Sequence, residues 1–167
     1  MVSYIVLGLL ATAGPQTSYE LSQNIEVSVS YFYQVTRSQL YAEPQRLTGL
    51  GLVSATQEKA GRRRRTFAIT DAGTTSLIDW LGRMPEPSQY RDPAMLRLFF
   101  MDAAPELIAP LAQQRVAELA GTLHFLEQPE LGGTQPSHRR VLSWGLMTTR
   151  ADLAFWQSVL DDLERPQ

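Results

Sequence analysis

The segment TRSQLYAEPQRLTGLGLVSATQEKAGRRRRTFAITDAG, residues 36–73, changes its period halfway along. In its first half Leu40 and Leu47 stand seven residues apart on one face of a helix, with Pro44 between them. Thr36 and Gln39 have the spacing of a capping box that opens such a helix, and Gly49 and Gly51 close it. In its second half Leu52-Val53-Ser54-Ala55-Thr56 leads into a polar stretch, and Thr66-Phe67-Ala68-Ile69-Thr70 alternates, with Phe67 and Ile69 on one face. Ala60-Gly61 lies between the two runs, which predicts a β-hairpin whose tip carries Arg62-Arg63-Arg64-Arg65.

The flanks complete the pattern. Upstream, Val2, Ile5, Val6, Leu9 and Leu10 form one apolar stripe of a first helix that ends at Gly14-Pro15. Thr17 and Glu20 make another capping box, opening a second helix with Leu21 and Ile25, and residues 27–35 read as a connection. Downstream of the hairpin, Asp71-Ala72-Gly73 leads into a fourth helix with Leu77, Ile78, Trp80 and Leu81 as its apolar positions. Three helices, a hairpin and a helix are the order of a winged helix-turn-helix. The proline in the third helix removes a backbone donor and is expected to bend it near Leu40.

Pro85, Pro87 and Pro93 mark a break, giving a first domain over 1–83, a linker over 84–93 and a helical domain over 94–167. In the last, Met95, Leu96, Phe99 and Phe100 mark a short helix. Leu107, Ile108, Leu111, Val116, Leu119, Leu123 and Leu126 mark a long one beginning near Pro105, and a final helix spans about 137–163. Each long helix should measure roughly 35–40 Å, more apolar surface than so small a lobe covers alone. The expected fold is therefore mainly α with a small β-hairpin wing, followed by an antiparallel helical segment through which two copies pair.

Composition excludes several classes. With 44% hydrophobic and 19% charged residues the chain is of ordinary globular type. Without cysteine there is no disulfide, thiolate metal site or cysteine nucleophile. The apolar start lacks a basic leading region and is shorter than a membrane span, so the cytoplasm is the expected compartment and no membrane partner is expected. His124 and His138 have no acid at ligand spacing, and neither a Gly-x-Ser-x-Gly elbow nor a glycine-rich phosphate loop is present, so no metal, cofactor or enzymatic activity is expected.

A net charge of −2 argues against a nucleic-acid partner until its distribution is examined. Residues 36–71 hold seven basic and three acidic side chains, whereas residues 76–167 hold eight and twelve. The basic patch coincides with the third helix and the wing. A recognition helix enters the major groove and presents side chains to base edges. Here its outward positions include Arg37, Ser38, Ala42, Gln45 and Arg46, flanked by Gln39 and Tyr41, with Thr36 at the helix start. Four consecutive arginines repel one another unless an anion offsets them, and guanidinium groups pair well with phosphate. The expected DNA-contacting set is thus Thr36, Arg37, Ser38, Gln39, Tyr41, Gln45 and Arg46 on the helix, with Lys59, Arg62, Arg63, Arg64 and Arg65 on the wing.

Several stretches together resemble one family, the PadR-type winged-helix regulators. They are Ile5-Val6-Leu7-Gly8-Leu9-Leu10, Ser18-Tyr19-Glu20-Leu21, Gln39-Leu40-Tyr41, Arg46-Leu47, Gly49-Leu50-Gly51-Leu52-Val53 and Phe67-Ala68-Ile69-Thr70-Asp71-Ala72-Gly73. The resemblance covers residues 1–80, and residues 95–163 are similar in pattern to the helical segment of the virulence-activator type. It implies a homodimer that represses transcription from a palindromic operator and is often relieved by a small effector. It also implies that Tyr41 contacts backbone phosphate while Arg37, Ser38 and Gln45 face bases. The chain departs from the family in having Ala42 after the helix-three tyrosine, where proline is common, and Ser18 in place of glycine before the helix-two tyrosine.

Aromatic faces bind flat organic ligands well, and Phe99, Trp144 and Trp156 are the candidates to line an apolar effector pocket. Trp144 leads because Gly145 beside it leaves room. The competing reading is a winged-helix module whose basic wing binds RNA or an acidic protein partner and has no operator.

Overall fold

The computed structural model describes residues 1–57, 64–87, 91–132 and 135–165, and the chain divides into two compact units, Met1–Glu86 and Pro87–Gln167. The first unit contains α1 (Val2–Ala13), β1 (Gln16–Thr17), α2 (Ser18–Glu26), α3 (Arg37–Gly49), β2 (Val53–Gln57), β3 (Arg65–Ile69) and α4 (Asp71–Leu81). The second contains α5 (Pro93–Phe99), 3-10 turns at Met101–Ala103 and Pro105–Leu107, α6 (Ile108–Leu126), a 3-10 turn at Pro129–Gly132 and α7 (Pro136–Glu164).

α1 is the central helix of the first unit and touches α3, α4 and β3. A helix covered on more than one side buries more than a single stripe. Val6, Leu7 and Leu10 are its buried residues, so Leu7 joins the core and Val2, Ile5 and Leu9 of the expected stripe are only partly covered. They pack with Leu21, Leu47, Val53, Phe67 and Leu77 into one cluster, and Tyr4 stacks on Trp80 with ring centroids 4.7 Å apart. On α4 the expected apolar set divides: Leu77 is buried and Trp80 partly covered, whereas Ile78 and Leu81 are exposed.

The wing is part of a three-stranded antiparallel sheet in the order β1-β3-β2 rather than a simple hairpin. β1 pairs Gln16 with Phe67 and Thr17 with Thr66, while β2 pairs Val53 with Ile69 and Gln57 with Arg65. Gln16 is almost fully enclosed because its side chain is spent on neighbouring elements. Its Nε2 donates to the carbonyls of Leu9 at 3.2 Å and Gly14 at 3.4 Å, and its Oε1 accepts from Asn24 Nδ2 at 2.5 Å. That one residue ties the C-terminal part of α1, the sheet and α2 together. The hairpin tip, with Lys59, Arg62 and Arg63, lies outside the described residues.

Both expected capping boxes form, Thr17 with Glu20 and Thr36 with Gln39. α3 runs unbroken through Pro44, whose ring is buried between Leu40 and Leu47. The expected bend is not a break: one missing donor is tolerated where the ring gains a place in the core. α3 ends in a Schellman arrangement, with Leu52 N–H donating to Leu47 O, Gly51 N–H to Thr48 O, and Gly51 at φ 72°.

In the second unit α6 and α7 are antiparallel. Arg150 reaches Glu127 at 2.8 Å near one end, and Trp156 clusters with Ala94, Leu111, Ala112 and Leu119 toward the other. The expected helix starting near Pro105 begins only at Ile108, after a 3-10 turn, so the two long helices are unequal, with 19 and 29 residues. At 1.5 Å per residue they measure about 28 and 44 Å. Asp92 caps α5 by accepting from Ala94 N at 2.7 Å, and its other oxygen accepts from Arg115 of α6 at 3.4 Å. No helix among the described residues is long and apolar enough to cross a membrane.

Candidate nucleic-acid interface

The capping box at Thr36 and the burial of Leu40, Pro44 and Leu47 fix which side of α3 faces outward. Thr36, Arg37, Ser38, Gln39, Tyr41, Gln45 and Arg46 are all exposed, but they are not equally available. Thr36 and Gln39 hold each other: Gln39 Oε1 accepts from the Thr36 amide at 3.1 Å and from its hydroxyl at 3.0 Å. Ser38 Oγ lies 3.1 Å from Thr36 Oγ1. Arg46 is committed elsewhere. Its guanidinium donates to both oxygens of Glu43, at 3.0 and 2.6 Å, and to Ser3 Oγ on α1 at 3.0 Å. That hydrogen bond from Arg46 holds the Glu43 carboxyl below the ordinary carboxylate range. Arg46 therefore acts as a strut between α3 and α1. Arg37 is the opposite case, with an 85% exposed side chain and only a 3.6 Å contact to Glu26. The side chains of Tyr41 and Gln45 have no hydrogen-bond partner among the described residues.

The wing base and the start of α2 complete a second feature. Thr17, Ser18, Tyr19, Glu20 and Gln23 of the α2 turn, Tyr41 of α3, and Arg64 with Arg65 at the wing base line a cavity of about 650 Å³. Arg65 lies 5.6 Å from the ring centre of Phe67, a core residue, so it is anchored from below. The Tyr19 hydroxyl accepts from Gln23 Nε2 at 3.0 Å and keeps its own proton to donate. Two tyrosines, a serine, two arginines and the start of α2 thus line one cavity suited to an anionic oxygen, together with the Glu20 carboxylate that closes the α2 cap. Of these residues the sequence pointed to Tyr41, Arg64 and Arg65, and the structure places beside them, in the same cavity, Ser18, Tyr19 and Gln23. The Thr17/Glu20 capping box, which places Ser18 and Tyr19 in the first turn of a helix, is the signal that could have found them.

The three effector candidates separate. Trp156 is 1% exposed within the core of its own unit, so it is a packing residue and offers no face to a ligand. Phe99 and Trp144 are exposed, and neither lines the second unit's groove of about 680 Å³, which Leu96, Arg97, Phe100, Met101, Leu107, Pro110, Leu111 and Gln114 form.

Residues 6–79 match the family model described as transcriptional regulator PadR-like. The chain is 26% identical over 146 residues to the negative transcriptional regulator PadR of Bacillus subtilis, covering 86% of this chain and 76% of that protein. It superposes on the crystal structure of B. subtilis PadR in complex with operator DNA with a TM-score of 0.84 at 23% identity, over 98% of this chain and 99% of that one. The structure of the same regulator with p-coumaric acid gives 0.77 at 22% identity, over 99% and 96%. The virulence activator AphA of Vibrio cholerae gives 0.68 at 22% identity, over 98% of each chain. The first unit thus matches the PadR-like family model over residues 6–79, and the chain shares the fold of these PadR-type regulators.

Proposed function

We propose that the protein is a cytoplasmic, sequence-specific DNA-binding repressor acting as a homodimer on a palindromic operator. The observation that carries the reading is the cavity uniting the start of α2, Tyr41 and the wing-base arginines beside the outward face of α3. In this reading α3 enters the major groove, Arg37, Ser38 and Gln45 meet base edges, and Tyr19, Tyr41, Arg64 and Arg65 seat the flanking phosphates. Lys59, Arg62 and Arg63 of the same basic run of sequence are further candidates for phosphate in this reading. B. subtilis PadR in complex with operator DNA supports this by its fold.

Pairing of two copies is supported by α7. Its buried face carries Gly145, Thr149 and Trp156, while Val141, Trp144, Met147 and Phe155 remain exposed on the same helix. A second copy covering those side chains accounts for that exposure. A small apolar or aromatic effector relieves repression in this reading, with Trp144 and Phe99 as its exposed contacts. The complex of B. subtilis PadR with p-coumaric acid favours a ligand of that type.

Selection of the purified protein against a random duplex pool at about 0.15 M salt, with the size of the bound species measured, tests the proposal. Recovery of an inverted repeat bound by a dimer supports it. Sequence-blind binding alone, or preference for RNA or an acidic protein, overturns it in favour of an interaction module. Replacing Arg62 to Arg65 with alanine weakens binding to every duplex alike, whereas changing Arg37 or Gln45 alters preference at individual bases.

A further inference from the structure

Two capping boxes of different charge flank the proposed DNA face. At α2 the box closes with an anion: Glu20 Oε2 accepts from the Thr17 amide at 2.8 Å and from its hydroxyl at 2.9 Å. At α3 the neutral Gln39 makes the same pair of bonds with Thr36, at 3.1 and 3.0 Å. The fold therefore builds the same cap without a charge, and the carboxylate at α2 is not required for it. Glu20 also lines the cavity that holds Arg64, Arg65 and Tyr41. Hydrogen bonds from Thr17 and the nearby charge of Arg64 keep its carboxyl ionised, below the ordinary range. A carboxylate at a helix N-terminus occupies the place where an incoming phosphate gains most from the helix dipole.

We propose that Glu20 limits the DNA affinity of this face: its carboxylate occupies the α2 N-terminus and offsets part of the positive charge of Arg64 and Arg65. Sequence-blind attraction to phosphate is thereby held down, while the N-terminus of α3, capped by the neutral Gln39, stays open to the duplex backbone. The inference rests on the DNA-binding reading above.

The test compares wild type, Glu20→Gln, Gln39→Glu and Arg64→Ala on a mixed-sequence duplex and on the duplex recovered by selection, across a salt series, with the thermal midpoint of each protein. Glu20→Gln keeps the box, as Gln39 does at α3. It should bind both duplexes roughly three- to fivefold tighter at about 0.1 M salt, with a salt slope steeper by up to about one, as expected for removing one charge near a phosphate. Gln39→Glu, which preserves the cap chemistry at α3, should weaken both by a similar factor. Unchanged affinity in Glu20→Gln, with wild-type binding intact and Arg64→Ala weakened, overturns the inference alone and leaves Glu20 a cap. Loss of affinity for one sequence only also overturns it, making Glu20 a reader of cytosine amines. If wild type binds no duplex and Arg64→Ala changes nothing, the DNA-binding reading falls and the inference with it.

Discussion

A Cβ placed on Gly73 would lie 2.1 Å from the carbonyl oxygen of Leu52 and 2.8 Å from Ile69 Cγ1. The first turn of α4 is thus pressed against the backbone that leaves α3, at a distance only glycine permits. Gly73→Ala forces backbone apart and should cost about 2–3 kcal/mol. Thermal unfolding should show the midpoint falling by on the order of 5–10 °C. An unchanged midpoint would mean that α4 shifts freely against the turn.

Arg37 and Thr36 are adjacent and should fail differently. Thr36→Ala removes the acceptor for the Gln39 amide and should cost about 1 kcal/mol of stability. Arg37→Ala removes a side chain that is 85% exposed and should leave the midpoint unmoved while changing base preference in a binding assay. A stability loss in Arg37→Ala would place that residue in the fold instead of the interface.

The strut formed by Glu43 and Arg46 has a pH signature. The carboxyl of Glu43 is held below its ordinary value of 4.5, first by the Arg46 hydrogen bond. A lowered folded-state pKa adds stability that is complete above the unfolded value and disappears as pH falls through the folded one. Urea melts of Glu43→Gln should therefore lie below wild type at pH 7 and converge on it as pH falls from 4.5 through the lowered folded-state value. A gap that is the same at every pH would show that ionisation of Glu43 is not its source.

Trp156 and Trp144 sit on one helix and make opposite predictions. Trp156→Ala empties the core of the second unit and should cost about 3–5 kcal/mol, seen as loss of cooperative unfolding there. Trp144→Ala should leave the monomer fold intact and weaken self-association or effector response, measured by sedimentation with and without ligand.

Features set by short-range contacts are legible in the sequence. Both capping boxes, Thr17 with Glu20 and Thr36 with Gln39, are, because each needs only two residues three apart. β1 is not: two residues carry no period, and their strand character comes from Phe67 and Thr66, some fifty positions away. Leu7 hides for a related reason, since a one-face stripe omits it and only contacts on further sides of α1 enclose it. At the site, Tyr41 and the arginines announce themselves by type and position. Tyr19 and Ser18 become part of it only when the wing base folds over the start of α2. Which of two tryptophans is core and which is exposed depends on the register of α7 against α6, and composition is silent on that.

The short bridge at Gly51 and Leu52 is where three elements meet. Leu52 N–H closes α3 on Leu47, the Leu52 carbonyl accepts from Thr70 N–H at 3.1 Å, and the Gly51 carbonyl accepts from the Thr70 hydroxyl at 2.8 Å. The end of the third helix is thereby joined to the strands beside it through backbone and one threonine, none of which belongs to the outward face of α3. On the proposed DNA-binding reading, exchanging Arg37, Ser38 or Gln45 should change which bases are preferred while this joint, and with it the aim of the helix, stays as it is.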